Sequence, residues 1–255
     1  VLQAEIGGKP YQLGLDIGLE SVIDMLNRLG VDVDIKPYPS LLLGALNLSP
    51  IQVAQMYQTI AANGFRMPLR AIRRVTDAYG DELSRYPFKL KQVVEPESVH
   101  LLHYALQSVA REGTARSLYQ RLPQDLNVAG KTGTSDQQRD SWFAGFTGNR
   151  LAVMWLGRDD NQSLPFTGSG GALQAWTDVM VQERPEPYMA LKPGGIEYFW
   201  VDTRTNQRID AACEGARSVP YLTGSEPTTE ISCSGKRAPG DPVSSPIEWF
   251  KRWFR

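Results

Sequence analysis

Between Leu13 and Leu29 the apolar residues Leu15, Leu19, Val22, Ile23, Leu26 and Leu29 recur at helical spacing, interrupted at Gly18 and closed by Gly30. A second helix is predicted from Ser49-Pro50-Ile51-Gln52, which offers an N-cap, a proline at the first helical position and a capping-box glutamine. Its residues Val53, Tyr57, Ile60 and Ala61 lead to a stop at Asn63-Gly64. Arg70–Thr76 and Glu82–Tyr86 read as a short hairpin around Tyr79-Gly80-Asp81. Pro96 opens a third helix, with Val99, Leu102, Leu106 and Val109 inward and Gly113 at its end. On its opposite, polar face we expect His100, His103, Gln107 and Arg111.

The period then changes. Asn127–Thr134 reads as one strand, and Asp140–Thr147 with Arg150–Arg158 as a hairpin across Gly148-Asn149, a favoured tight-turn pair. After a loop carrying Gly168, Gly170 and Gly171, a helix is predicted with Leu173, Trp176, Val179 and Met180 on one side, ended by Pro185 and Pro187. Antiparallel strands followed by a packing helix indicate an α+β fold, a sheet flanked by helices.

From about Leu191 the character shifts. Tyr198-Phe199-Trp200-Val201-Asp202 suggests a strand and Thr203–Gln207 a turn, leading into a polar loop flanked by Cys213 and Cys233. A disulfide there would close a loop of about 20 residues and contribute about 3 kcal/mol. It would imply an oxidising compartment, free thiols being the alternative. Ser234–Pro246 reads as a flexible linker. In the final stretch, Ile247, Phe250, Trp253 and Phe254 share one helical face and Glu248, Lys251, Arg252 and Arg255 the other. That pairing fits a membrane-surface helix, or one docked on the protein's own body or on a partner. The expected organisation is therefore a main domain over 1–190, a small disulfide-bearing module over 191–235, and a linker with an amphipathic tail over 236–255.

With 255 residues, 42% hydrophobic and 22% charged, the chain can bury a sizeable core. A net charge of −1 gives no bulk attraction for nucleic acid, which is not an expected partner. No run approaches the roughly 18 apolar residues of a membrane span, and Val1 onward shows no charged-then-apolar signal pattern. Any export or anchor segment is expected to lie outside this chain.

The most informative chemistry is Val128-Ala129-Gly130-Lys131-Thr132-Gly133-Thr134-Ser135. A cation, hydroxyls and glycines on an exposed sheet edge make a receptor for a peptide bearing a carboxylate, because glycine lets another backbone approach closely. A phosphate loop is a rival, since Gly130-Lys131-Thr132 matches the end of Gly-x4-Gly-Lys-Ser/Thr. Asp125 stands where its first glycine belongs, however, and a strand follows where a helix is needed. An ordinary surface turn is the third reading. His100-x-x-His103 is a metal-binding pattern without a third ligand nearby, so neither metal nor cofactor is expected.

Lys131-Thr132-Gly133 is also the third motif of the serine enzymes of the penicillin-binding and β-lactamase class. Leu43-Gly44-Ala45-Leu46-Asn47-Leu48-Ser49-Pro50-Ile51-Gln52-Val53-Ala54-Gln55, ending in Ala61-Ala62-Asn63-Gly64, resembles a hallmark segment of penicillin-binding transpeptidase domains. Arg111-Glu112-Gly113-Thr114-Ala115-Arg116 resembles the turn after that family's next helix, and Val128–Thr134 with Trp142-Phe143-Ala144-Gly145 continues its order. Val153-Met154-Trp155-Leu156-Gly157-Arg158-Asp159-Asp160-Asn161 and the cysteine-bearing tail are similar to the class A, bifunctional branch in Gram-negative bacteria.

The resemblance spans roughly Leu13 to Arg255. It implies the penicillin-binding protein/β-lactamase-like fold and acyl transfer to and from a serine, cross-linking peptidoglycan stem peptides that end in D-Ala-D-Ala. Lys131 would supply positive potential and support proton relay. Thr132 and Thr134 hydroxyls would hold the terminal carboxylate, and the Thr134 N–H would form half of the oxyanion hole. Gly130, Lys131, Thr132, Gly133 and Thr134 would pair with the substrate backbone by strand addition. The implied partners are stem peptides, β-lactams in the complete enzyme, an outer-membrane lipoprotein activator, and divisome or elongasome proteins. The implied location is the periplasmic face of the inner membrane.

The first two motifs of the class, Ser-x-x-Lys and Ser-x-Asn, occur nowhere in the sequence, and Glu5-Ile6-Gly7-Gly8-Lys9 does not match where the second should end. The chain therefore reads as the C-terminal part of a transpeptidase without its nucleophile. A non-catalytic peptidoglycan-recognition remnant is the alternative from another class. A serine β-lactamase is a further one, disfavoured by the tail and the Leu43–Asn63 hallmark.

Overall fold

A computed structural model describes residues 10–87 and 89–233. The linker and amphipathic tail read from the sequence lie outside the described residues. The described residues begin with helices α1 (Pro10–Ile17) and α2 (Leu19–Leu29), separated at Gly18. Gly30 N–H donates to the Asn27 carbonyl and Val31 N–H to that of Leu26, the bond pair that caps a helix C-terminus. Helix α3 (Pro50–Ala61) starts where the capping box places it, Ser49 N–H donating to Gln52 Oε1 at 2.8 Å.

Short strands β1 (Phe65–Arg66), β2 (Arg74–Thr76), β3 (Glu82–Arg85) and β4 (Lys91–Gln92) follow. They pair as the hairpin β2–β3 and the antiparallel couple β1–β4. Helix α4 (Pro96–Arg111) then leads to β5 (Ala129–Thr134), β6 (Asp140–Phe146) and β7 (Leu151–Gly157), an antiparallel sheet in the order β5-β6-β7. Its register sets Lys131 opposite Ala144 and Trp142 opposite Trp155.

Successive side chains of a strand point to opposite faces. Phe143 therefore joins α5 (Ala172–Glu183) through Trp176, in an edge-to-face contact of 5.1 Å within a core that also holds Leu118, Leu122, Leu173 and Met180. Ala144 and Phe146 join Tyr57 and Ile60 of α3, with Val99 and Leu106 of α4, on the other face. The result is an α+β sandwich, helix–sheet–helix, in which α4 reaches both cores.

Four details differ from the sequence reading. His100 and His103 do not lie on a polar outer face. His103 is fully buried, its Nε2 facing the Ile60 carbonyl at 2.7 Å and its Nδ1 the Tyr188 hydroxyl at 2.6 Å. His100 lies between the Leu191 carbonyl and Tyr198 Oη at 2.9 and 2.7 Å. These rings join helix to chain, because a buried polar group must be matched. Among the described residues no group of three or more His, Cys, Asp or Glu could hold a metal ion.

On α5, Val179 is exposed and Thr177 takes the inward position, its hydroxyl donating to the Leu173 carbonyl at 2.7 Å. At the Gly148-Asn149 turn neither residue has positive φ. Glycine is needed there because a Cβ on Gly148 would lie 2.3 Å from the Pro187 carbonyl oxygen.

The fourth difference is the cysteine loop. Strands β8 (Ile196–Asp202), β9 (Gln207–Arg208) and β10 (Ala216–Leu222) form a second antiparallel sheet, β10-β8-β9. Strand β10 runs between the two cysteines and buries Val219 and Tyr221 against Ile196, Val201 and Leu101 of α4. The loop is thus partly a core strand. Cys213 and Cys233 are bonded to each other, with Cys213 packed on Ile209 and Ile231.

Burial lowers the pKa of His103 from 6.5 to about 4, so its protonated form opposes folding. The folded state should keep its full stability above the ordinary histidine pKa and lose it as pH falls through the interval between the two values. The loss attributable to His103 should be about 3 kcal/mol. Chemical denaturation of parent and His103→Gln at pH 7 and pH 4.5 checks this. The variant should show a clearly smaller drop, and equal drops would refute the assignment.

Candidate functional site

Lys131-Thr132-Gly133 lies inside an edge strand, not at the mouth of a helix, which removes the phosphate-loop reading. Ser135 N–H donates to the Asp140 carbonyl at 3.2 Å. Hydrogen-bonding residues alternate along an antiparallel ladder, so Thr134, Thr132 and Gly130 direct their N–H and C=O groups away from β6. Two contacts agree with this phase. Val128 N–H donates to Tyr119 Oη at 2.9 Å, and the Thr132 carbonyl accepts from Lys131 Nζ at 3.2 Å.

Lys131 was expected on an exposed edge, yet only 7% of its surface is accessible. Its side chain leaves the strand on the face of Ala129, and the ammonium returns to the outer edge at the Thr132 carbonyl. A cation removed from water acts through a lower effective dielectric, so its pull on an anion at that edge is stronger than that of a solvated lysine.

Thr132 and Thr134 project from the opposite face. Thr132 Oγ1 lies 2.7 Å from Thr114 Oγ1, on the turn that ends α4. Thr134 Oγ1 accepts from Gly168 N–H at 2.9 Å and keeps its own proton for donation. Gly168 is a requirement of close approach, because a Cβ there would lie 2.4 Å from the Gly133 carbonyl oxygen. The loop is held by buried Ser141, whose hydroxyl donates to the Thr167 carbonyl and accepts from Ala172 N–H, both at 2.9 Å.

Beside these threonines opens a cleft of about 580 Å³. Thr114, Arg116 and Ser117 line one wall, Thr167 and Ser169 the other. The lining is polar and carries both the Arg116 cation and the Glu112 carboxylate, the latter ion-paired with Arg217, which suits an extended polar chain. Of the residues singled out in the sequence, Gly130 to Thr134 come together on this edge. Cys213 and Cys233 lie in the turns on either side of β10, outside the residues lining the cleft. Thr114 and Gly168 were missed as site residues. Thr114 was legible only as part of a turn, and nothing local shows that Gly168 comes to rest on Gly133.

Residues 11–174 match the family described as the penicillin binding protein transpeptidase domain. The chain belongs to that family. It is 36% identical to Penicillin-binding protein 1B of Vibrio cholerae over 95% of this chain and 30% of that protein. It is 38% identical to Penicillin-binding protein 1B of Haemophilus influenzae over 82% of this chain and 26% of that one. The chain thus spans about 30% of the length of such relatives. A crystal structure of Penicillin-Binding Protein 1A from Haemophilus influenzae shares the fold, with a TM-score of 0.77 at 22% identity over 87% of this chain and 39% of that one. The transpeptidase fold therefore places its edge strand, β5, beside the polar cleft.

The close seat of Gly168 on β5 predicts that Gly168→Ala will destabilise the transpeptidase fold by about 1–3 kcal/mol. Gly194→Ala, where an added Cβ meets nothing within 4 Å, should be near neutral. Paired denaturant midpoints test this. Two variants of equal stability would mean that the loop does not rest on Gly133.

Proposed function

We propose that this chain is the C-terminal, substrate-holding part of a class A peptidoglycan D,D-transpeptidase. The observation that carries the proposal is the outer edge of β5, where the Thr132 and Thr134 N–H groups face away from β6 beside the Lys131 ammonium and the polar cleft. A stem peptide ending in D-Ala-D-Ala would add to this edge as a strand. Its terminal carboxylate would take the hydroxyl protons of Thr132 and Thr134 in the field of Lys131. The Thr134 N–H would donate to the oxygen of the tetrahedral intermediate, a contact worth about 3 kcal/mol.

In the reaction a serine oxygen bonds to the penultimate D-Ala carbonyl carbon and D-alanine leaves with a proton on its amine. An amine from a neighbouring stem then displaces the serine, which regains its proton. That serine is not in this sequence, which has neither Ser-x-x-Lys nor Ser-x-Asn. In our reading it belongs to the preceding part of a longer polypeptide, anchored at the periplasmic face of the inner membrane. Lipoprotein activators and the division or elongation machinery are its proposed partners. The proposed accessory module over 191–235 carries the Cys213–Cys233 disulfide, suited to that oxidising compartment. The missing nucleophile motif supports a second reading, a peptidoglycan-recognition part that binds stem peptides without acylation.

Two measurements test the proposal. A fluorescent penicillin should leave this chain unlabelled on a denaturing gel and label the longer polypeptide. Labelling of this chain, abolished by unlabelled penicillin, would overturn the separation of nucleophile and receptor. In the longer polypeptide, Thr132→Val should slow acylation by about 10²-fold with little change in Tm. Labelling at the parent rate would return Lys-Thr-Gly to a surface turn. The compartment has its own test, since peptide mapping without reductant should recover Cys213 and Cys233 as one linked pair. Two alkylatable thiols would remove that argument.

A further inference from the structure

We propose that Thr114 is a positioning residue for substrate-carboxylate recognition, acting through the hydroxyl of Thr132. The inference rests on the transpeptidase reading above, and its basis is the 2.7 Å contact between the two Oγ1 atoms across the cleft wall. Only one proton can lie between two hydroxyl oxygens at that distance, so the pair has two polarities. With Thr132 donating to Thr114, the Thr132 proton is turned away from an incoming anion. With Thr114 donating, the Thr132 proton is released toward the cleft. A carboxylate accepts and cannot donate, so its arrival selects the second polarity. A hydroxyl that accepts a hydrogen bond also becomes a stronger donor, because linked hydrogen bonds polarise one another.

The backbone beneath Thr114 is built to hold that position. Gly113 N–H donates to the Val109 carbonyl at 3.1 Å, Ala115 N–H to the same carbonyl at 3.2 Å, and Arg116 N–H to Gly113 at 3.2 Å. Ala115 is fully buried in the core shared with Val109 and Leu118, so the turn cannot swing without breaking apolar contacts. Glu112, on the other side of Gly113, is ion-paired with Arg217 of β10. Thr114 thus presents an exposed side chain from an anchored main chain.

The experiment uses the longer polypeptide and two β-lactams of the same skeleton, one with its free carboxylate and one with that group as a neutral methyl ester. Acylation efficiency is measured for the parent, Thr114→Val, Thr114→Ser and Thr132→Val. Thr114→Val should lower the efficiency for the free acid by about tenfold, the ratio a lost hydrogen bond gives, and leave the ester nearly unchanged. Thr114→Ser, which keeps the hydroxyl, should restore the parent ratio. Equal losses for acid and ester, or a loss that Ser does not rescue, would assign Thr114 a structural role and overturn the inference. If Thr132→Val impairs the free acid and Thr114→Val does not, this inference falls and the transpeptidase reading stands. If Thr132→Val itself is without effect, the reading of the strand falls as well.

Discussion

Alternation along β6 ties the two faces of the molecule together. Ser141 and Phe143 point toward α5, the first clamping the 167–172 loop and the second filling the core with Trp176. Ala144 and Phe146 point toward α3 and α4. A slip of one residue against β5 would send every one of these side chains to the wrong core. Were β5 to turn over in the slip instead, the Thr132 and Thr134 N–H groups would leave the open edge and be buried in the ladder. The chemistry of Lys-Thr-Gly is thus fixed by packing several residues away.

That register also explains how a lysine can be buried here. Burying an ammonium is costly unless hydrogen bonds replace its water. Lys131 meets the condition by turning back to the strand edge, where the Thr132 carbonyl receives it. The charge is then sheltered on the α3 side yet adjacent to the groups that would meet a peptide. The threonines approach the same edge from the α5 side, one leaning on Thr114 and the other on Gly168. A ligand added to this edge would be gripped from both faces of the sheet, by charge on one and hydroxyls on the other.

Much of this was legible in the sequence. Ser49-Pro50-Ile51-Gln52 marks the start of α3 and Gly30 the end of α2, because capping rules act on neighbours within a few residues. The strands β5, β6 and β7 follow from their period and the turn between them, and the α+β class follows in turn. What failed depends on distant partners. His100 and His103 looked solvent-facing because the residues that satisfy them, Tyr188, Leu191 and Tyr198, come some 85 to 98 positions later. Strand β10 was hidden because Ser218 and Pro220 alternate with Val219 and Tyr221 in a stretch that is polar on average. The edge position of Lys131 was readable, but its burial is set by how the strand meets α3 and α4, which no local pattern encodes.

The second sheet attaches to the first through α4, and magnitudes show which contact holds it. Glu112 and Arg217 form an ion pair with side chains 59% and 32% exposed, so it contributes at most about 1 kcal/mol. Tyr104 Oη donates to the Ser218 carbonyl at 3.1 Å, worth about 1 kcal/mol in net terms. Leu101 is 4% exposed among Ile196, Val201, Val219 and Tyr221, and deleting such a side chain costs about 2–5 kcal/mol. The apolar contact near the middle of α4 therefore supplies the attachment. The ion pair lies three residues past Val109, where it can set the direction of the helix end without holding the sheets together. Since that end carries Thr114, the second sheet bears on the cleft wall through the orientation of α4 and not through a residue of its own.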